Sequence, residues 1–281
     1  MAENSLLRVM TWNLWWRFGH WERRRDPIAR ILDATAPDIV GLQEVWGGST
    51  ENQAHILAET LGMHHLWCPS PAPEQFQRRA GDRTVVVGNA ILSRWPVTRK
   101  SVCELPAGAG DAGRTALFAL IDAPFGAVPV FTTQFSSAVG GSELRCKQVG
   151  ALTQFIAEET RDCANSIVTG DLNAEPDSDE IRLLGGHQTA PPVPGMIFLD
   201  VWSFADPGAR SCTWDRRNPA VFATGEPDAR IDYIFLGLRT NSSLGPRVLS
   251  ARLRGDEPVN GVWPSDHAAV VAEFEWRATA G

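Results

Sequence analysis

The run Ser166-Ile167-Val168-Thr169-Gly170-Asp171-Leu172-Asn173-Ala174-Glu175-Pro176 decides how this chain is read. An apolar stretch that stops abruptly at Gly-Asp, then Asn, Glu and Pro, reads as a buried strand delivering a carboxylate and an amide to a sheet rim. Asp171 and Asn173 are two residues apart, so in extended backbone both side chains leave the same face. Such a pair is poor packing material but handles water, metal or phosphate well. Alone, it is more often a loop turn than an active site.

Working outward, other polar groups stand where other apolar runs stop. They are Asn13 in Thr11-Trp12-Asn13-Leu14, Glu44 in Gly41-Leu42-Gln43-Glu44-Val45, Asp232 in Arg230-Ile231-Asp232-Tyr233, and both Asp266 and His267 in Ser265-Asp266-His267. Carboxylates with amide oxygens suit a hard cation such as Mg²⁺ or Mn²⁺. Glu44, leaving a buried strand, needs a partner, either a metal ion or an arginine. Between these groups lie Gly88-Asn89-Ala90-Ile91-Leu92-Ser93 and Thr213-Trp214-Asp215. Each motif is weak alone. In their order, from about Arg8 to Trp276, they resemble the endonuclease/exonuclease/phosphatase superfamily, the DNase-I-like metal-dependent phosphoesterases.

The resemblance implies an α/β (α+β) fold. It is a four-layer α/β/β/α sandwich, with two mixed, mainly antiparallel sheets face to face and helices outside. It implies Glu44 as chief metal ligand, Asp266 as a further metal-site carboxylate, and Asn13 as a group positioning metal or phosphate. Asp232 and His267 correspond to a paired carboxylate and imidazole, the carboxylate fixing the tautomer while the free ring nitrogen meets a phosphate oxygen. Asp171 corresponds to the residue that orients or deprotonates water, and Asn173 to one that contacts the phosphoryl centre. The reaction implied is in-line attack of water on a phosphoester, with a Mg²⁺ or Mn²⁺ ion sharing the work of activation.

Two departures stand out. The family often has Thr-His-Leu where this chain has Thr133-Gln134-Phe135. Gln134 can donate to phosphate but has no transferable proton, which puts leaving-group protonation in doubt. Trp15 stands where some nuclease branches carry an acid, so a metal arrangement needing that carboxylate is not expected. Arg145 resembles a family position on a helix, where it braces the site or faces solvent, and Asn89 extends the polar site. Trp214 and Asn218 lie in a family-like segment on the substrate side. The aromatic cluster Trp15-Trp16-Phe18-Trp21 reads as packing, or, through Trp16 and Trp21, as a surface that stacks on a base or inserts into lipid. Arg17, Arg23, Arg24 and Arg25 read either as a second phosphate site or as a charged helix entrance. His20, His55, His64, His65 and His187 lack supporting motifs and read as structural or surface residues.

With 281 residues, the chain can bury roughly three quarters of its unfolded surface as one large sandwich, and no linker divides 1–281 into two cores. A net charge of −7 argues against a broad basic face tracking duplex DNA. Five scattered cysteines without a Cys-x-x-Cys pair suit a reducing compartment and do not spell zinc. No leader-like start or spanning apolar run is read, and a cytoplasmic location is expected.

Strands are expected over 6–12, 39–42, 84–92, 115–121, 128–135, 166–169, 231–236, 248–253 and 268–274. Helices are expected from Asp26-Pro27, over 54–61, over 143–159 and over 177–184. The stretches 69–81 and 185–195 read as loops, and 108–113 as a turn. Three functions remain open. The first is a phosphodiesterase on nucleic acid or a nucleotide-like molecule. The second keeps the chemistry on a phospholipid, sphingolipid or inositol phosphate. The third is a non-catalytic phosphate-binding protein, motivated by Gln134.

Overall fold

In a computed structural model, residues 5–108, 113–163, 165–239 and 245–276 are described. The strands are β1 Ser5–Asn13, β2 Ile39–Gly47, β3 His64–Pro69, β4 Val86–Ser93, β5 Val97–Glu104, β6 Thr115–Ala123, β7 Gly126–Gln134, β8 Asn165–Asp171, β9 Met196–Asp200, β10 Asp232–Arg239, β11 Arg247–Arg254 and β12 Ala269–Trp276. The helices are α1 Trp21–Thr35, α2 Gln53–Leu61, α3 Glu74–Ala80, α4 Ser142–Glu159, α5 Asp179–Gly185 and α6 Pro219–Phe222. One sheet runs β11-β12-β1-β2-β4-β3 and the other β5-β6-β7-β8-β10-β9. β1 pairs parallel with β2 after a crossover through α1, and β7 pairs parallel with β8 after a crossover through α4. The other strand pairs are antiparallel.

Period-two alternation explains the layers. In β1, Leu7 and Val9 join the core between the sheets, while Met10 and Trp12 pack outward with Ile28 and Leu32 of α1. In β8, Ile167 faces inward, while Val168 packs with Val149, Leu152 and Ile156 of α4. The inward residues turn polar toward one end of each parallel strand: Leu7-Val9-Thr11-Asn13, Ile39-Gly41-Gln43, Val128-Val130-Thr132-Gln134 and Ile167-Thr169-Asp171. The sandwich is therefore oily at one end and polar at the other. The close approach beneath the polar end needs Gly41, because a Cβ there would lie 2.0 Å from Thr169 Oγ1 and 2.8 Å from Thr132 Oγ1.

Several expectations change. The loop read over 69–81 contains α3, whose Phe76 is buried. α1 starts at Trp21, leaving Pro27 inside the helix rather than at its first turn. β3, β5 and β9 lie where the sequence pattern predicts no strand. The turn expected over 108–113 lies largely outside the described residues.

Candidate active site

The C-terminal ends of the parallel strands, with β10 and the segment before β12, supply the polar groups. Gln134, Asp171 and Asp232 form one row across the sheet, because Asp171 is in register with Gln134 on β7 and with Asp232 on β10. In the other sheet, Asn13 is in register with Gln43. Simple alternation would turn Glu44 away from Gln43's face. The β2–β4 register instead shifts between Leu42 and Val45, and Glu44 takes a φ of 52°. This bulge re-aims the carboxylate into the site. Asn173 reaches the same cleft by a left-handed turn, with a φ of 48°, not by extended backbone as expected.

Asp171 is 1% exposed and held from three directions. Its Oδ2 accepts from Asn13 Nδ2 (3.0 Å) and Gln134 Nε2 (3.0 Å), and its Oδ1 accepts from the Asn173 backbone N–H (3.0 Å). Asn13 is occupied at both ends, since its Oδ1 accepts from the Trp15 N–H at 2.9 Å. Asn13 therefore orients Asp171 from behind and does not line the cleft. The Asn173 amide donates to the Phe135 carbonyl at 3.1 Å.

His267 Nδ1 lies 2.8 Å from Asp232 Oδ2, with both residues buried. Burial alone would lower the imidazole's pKa, but the Asp232 charge and hydrogen bond outweigh it and hold the ring protonated well above its usual range. Trp214 meets the His267 ring edge-on at 5.0 Å, and Trp12 Nε1 donates to the His267 carbonyl at 2.9 Å.

Glu44 and Asp266 remain as carboxylates facing the cleft. Burial pushes Asp266 up to about 7. His267 and Arg24 oppose that rise, while Glu44 adds to it. Two acids crowded in this way fit a hard divalent cation, which would remove their mutual repulsion. A different trio, Asp171, Asp232 and His267, has ligand-type atoms within 4.8 Å of one another. We do not take it as the cation site. Asp171 accepts three N–H donors, and Asp232, though its buried Oδ1 has no hydrogen-bond partner, does not line the cleft; Glu44 does line it and, among the described residues, accepts one hydrogen bond, from Gln134 at 2.9 Å.

The sequence did not reveal the role of Arg24. It is 2% exposed, and its guanidinium donates to five carbonyls: Leu14 (2.7 Å), Pro264 (3.2 Å), Trp15 (2.9 Å), Trp16 (3.0 Å) and Phe18 (3.0 Å). Burial lowers its pKa to about 10, against the charges of Asp266 and Glu44, so it stays cationic at neutral pH. It therefore joins the loop after Asn13 to the segment before Asp266. It also holds Trp15 and Trp16 in left-handed backbone, at φ 57° and 34°, a conformation costly for side-chain-bearing residues. Arg24 is thus neither a phosphate ligand nor part of a solvated helix entrance. Arg24→Leu is expected to lower unfolding stability by about 3–5 kcal/mol, as breaking a buried charged contact does. Urea unfolding measures it, and a loss below about 1 kcal/mol would contradict the clamp.

Other expected site residues have different tasks. Trp16 is 1% exposed and packs with Trp46, Phe76, Val85 and Val87, so it is core and not a substrate contact. Trp21 packs edge-on against Trp46 at 5.5 Å, and Arg17 stacks over both rings at 4.3 Å, which removes Trp21 from the cleft. Asn89 donates to the Thr115 carbonyl at 3.0 Å and lies behind the main cleft, in a small adjoining cavity. Arg145 braces: it pairs with buried Glu180 and donates to the carbonyls of Ser136 and Ala138. Asn218 caps α6 and donates to the Ser265 carbonyl at 2.7 Å, which supports the Asp266–His267 segment from outside.

The cleft itself encloses about 250 Å³. Besides the carboxylates, Asn173, Gln134 and His267, its walls include Trp15, Phe18, Phe76, Trp214, Arg79 and Arg114. Of the expected aromatics, only Trp214 and the cluster's Trp15 and Phe18 face it. Trp15→Ala is expected to raise KM tenfold or more, since stacking is worth ~1–3 kcal/mol, with little change in Tm. Trp16→Ala should instead cost about 3–5 kcal/mol of stability. A loss of stability in the first variant, with KM unchanged, would exchange their roles.

The endonuclease/exonuclease/phosphatase family model matches residues 10–267, and the chain belongs to that family. No curated protein matches the chain. Similar solved structures include an endonuclease/exonuclease/phosphatase from Bacteroides vulgatus (18% identity, TM-score 0.72, covering 97% of this chain and 100% of that one). The human Nocturnin catalytic domain with bound sulfate shows 20% identity and a TM-score of 0.71, covering 98% of this chain and 96% of that one. TDP2 from Caenorhabditis elegans shows 19% identity and a TM-score of 0.69, covering 96% and 74%. At these identities the likeness is one of fold, a two-sheet α/β sandwich. Family membership supports a divalent-metal-dependent phosphoesterase activity. Among the described residues, no helix is long and apolar enough to cross a membrane.

Proposed function

We propose that this chain is a Mg²⁺- or Mn²⁺-dependent phosphodiesterase acting on a nucleotide-like substrate or a short stretch of nucleic acid. The observation that carries the reading is one cleft in which Asp171, His267, Glu44 and Asp266 share walls with Trp15, Phe18, Trp214, Arg79 and Arg114. The cleft's size, just under the roughly 300–1,000 Å³ usual for small-ligand sites, suits one base-and-phosphate unit better than a duplex. The net charge of −7 supports the same choice.

Glu44 and Asp266 would hold the cation. When bound, it supplies charge stabilisation at the phosphoryl oxygens and lowers the pKa of water. The chain's own residues do the rest. Asp171, fixed by Asn13, Gln134 and the Asn173 N–H, accepts a hydrogen bond from the attacking water and receives its proton. His267, kept cationic by Asp232, donates from Nε2 to a non-bridging phosphate oxygen and stabilises charge as it develops. Trp214 packs edge-on against that ring, and Trp12 anchors the His267 backbone through its carbonyl.

One observation favours a lipid substrate as a second reading. Val139 and Phe222, 97% and 68% exposed, lie two residues from Ser137 and Thr224 of the cleft wall. A substrate panel separates the readings: a dinucleotide, a single-stranded oligonucleotide, an aryl phosphodiester, an inositol phosphate and sphingomyelin vesicles, each with Mg²⁺, Mn²⁺ or EDTA. Metal-dependent turnover highest on the dinucleotide is expected. Preference for the vesicles would establish the lipid reading instead, and no turnover on any substrate would favour a binding protein.

A further inference from the structure

Gln134 occupies a position where a histidine could move a proton, and its surroundings suggest a different task. A primary amide has two N–H hydrogens, and both are used here: Nε2 donates to Glu44 Oε1 at 2.9 Å and to Asp171 Oδ2 at 3.0 Å. Its Oε1 accepts from Nη1 of Arg114, a residue only 6% exposed that also lines the cleft. A flipped amide would turn its oxygen toward two carboxylates and its nitrogen toward a guanidinium. Arg114 and the two carboxylates together determine which end of Gln134 faces Glu44 and Asp171, and Arg114 is the contact that fixes the oxygen end.

We propose that Arg114 is a positioning residue that acts through Gln134. The guanidinium locks the amide, and the locked amide ties the carboxylate that receives the water proton to the carboxylate at the cation site. Gln134 is then a strut between Asp171 and Glu44. It cannot also donate to phosphate without releasing one of them. The cost of losing Arg114 follows from this geometry. Without Arg114 the amide is held at its nitrogen end alone, so it can tilt, and the spacing it sets between Asp171 and Glu44 loosens. Misplacement by about 1 Å at a reacting centre is enough for a ~10²-fold loss. The inference deepens the phosphodiesterase reading and rests on it for its kinetic test only.

That test is a double-mutant cycle on the full chain, with an aryl phosphodiester and saturating Mn²⁺: wild type, Arg114→Met, Gln134→Met and the double variant. Arg114→Met is expected to lower kcat about 30–100-fold with KM nearly unchanged. The double variant should be no more than about two-fold slower than Gln134→Met alone, because both single changes remove the same strut. Losses that multiply, or a rise confined to KM, would overturn the proposal and make Arg114 a direct substrate contact. Gln134→Glu keeps an acceptor for Arg114 but removes the donors, and should be as slow as Gln134→Met. Wild-type speed in that variant would also overturn the proposal. If Arg114→Met does not fold, Arg114→Gln, with its shorter reach, replaces it in the cycle.

A second readout needs no turnover. In ¹⁵N spectra, hydrogen–deuterium exchange of the Gln134 side-chain amide should be slow in wild type and at least tenfold faster without Arg114. Unchanged exchange would overturn the proposal even in an active enzyme. Accelerated exchange in a chain that turns over none of the substrates would uphold it, and the phosphodiesterase reading alone would fail.

Discussion

Glu44→Gln is expected to lower turnover by at least ~10³-fold, about 4 kcal/mol of transition-state stabilisation, and to leave the chain folded. The two halves of this result have separate causes. Glu44 reaches the cleft because the β2 bulge turns it there at a φ of 52°, and glutamine, similar in size, inherits that backbone without added strain. What is lost is a negative charge beside Asp266, where the cation would be held. Without that charge, Asp266 alone offers too little to retain and orient a divalent ion. The apo protein should not suffer, because burial and Glu44 both push the Asp266 carboxyl upward, and removing Glu44's charge relieves part of that pressure. In EDTA the variant should therefore melt no lower than wild type. Melting curves with and without Mn²⁺ add a further contrast. Wild type should gain stability from the ion by mass action, and Glu44→Gln should gain little. Full turnover after exhaustive metal removal would sink the metal role, and an unchanged rate in Glu44→Gln would remove this residue from it.

The strand ends were legible in the sequence because alternation and an abrupt Gly-Asp or Gln-Glu stop are local signals. Asp171, Glu44, Asp232, Asp266 and His267 all come to the same polar end of the sandwich, as their order implied. Less local facts were hidden. α3 has seven residues in a stretch containing Pro69, Pro71 and Pro73, with Phe76 as its buried anchor, too little apolar pattern to betray a helix. With α3 unread, Arg79 and Phe76 could not be placed on the cleft wall. Among Arg23, Arg24 and Arg25, nothing in composition distinguishes the one that turns inward to five carbonyls. That choice depends on backbone conformations at Trp15 and Trp16 that no periodicity encodes. The aromatic cluster failed for a related reason. A left-handed turn at Trp15 and Trp16 sends one indole to the cleft and the other to the core, and sequence spacing alone cannot say which.

Asp232→Asn should lower turnover ~10³–10⁴-fold, with far less effect on folding. An Asp-to-Asn exchange behind a catalytic histidine in the serine-protease triad costs about 10⁴-fold. The physical case in this chain rests on charge as well as orientation. Asparagine can still accept from His267 Nδ1, so the ring need not swing away. Burial would then be opposed only by the charges of Asp266 and Asp171, and the imidazole's pKa would fall from its wild-type position, because Asp232 is the largest of the groups that raise it. A larger fraction of His267 would then be uncharged at neutral pH, with an Nε2 that offers phosphate a lone pair in place of a proton. The sign of the stability effect follows. In wild type, His267's folded pKa lies above its unfolded value of ~6.5. The stabilisation is therefore fully present below that value and is lost as pH rises through the folded pKa. In Asp232→Asn the folded pKa moves down toward ~6.5, so the stabilisation gained as pH drops is smaller than in wild type. Melting temperature measured from pH 8 to pH 5 should thus decline in the variant relative to wild type, and imidazole NMR should show the ring titrating earlier. Wild-type turnover at pH 7 in Asp232→Asn, with His267 still protonated, would show that another group supplies the charge.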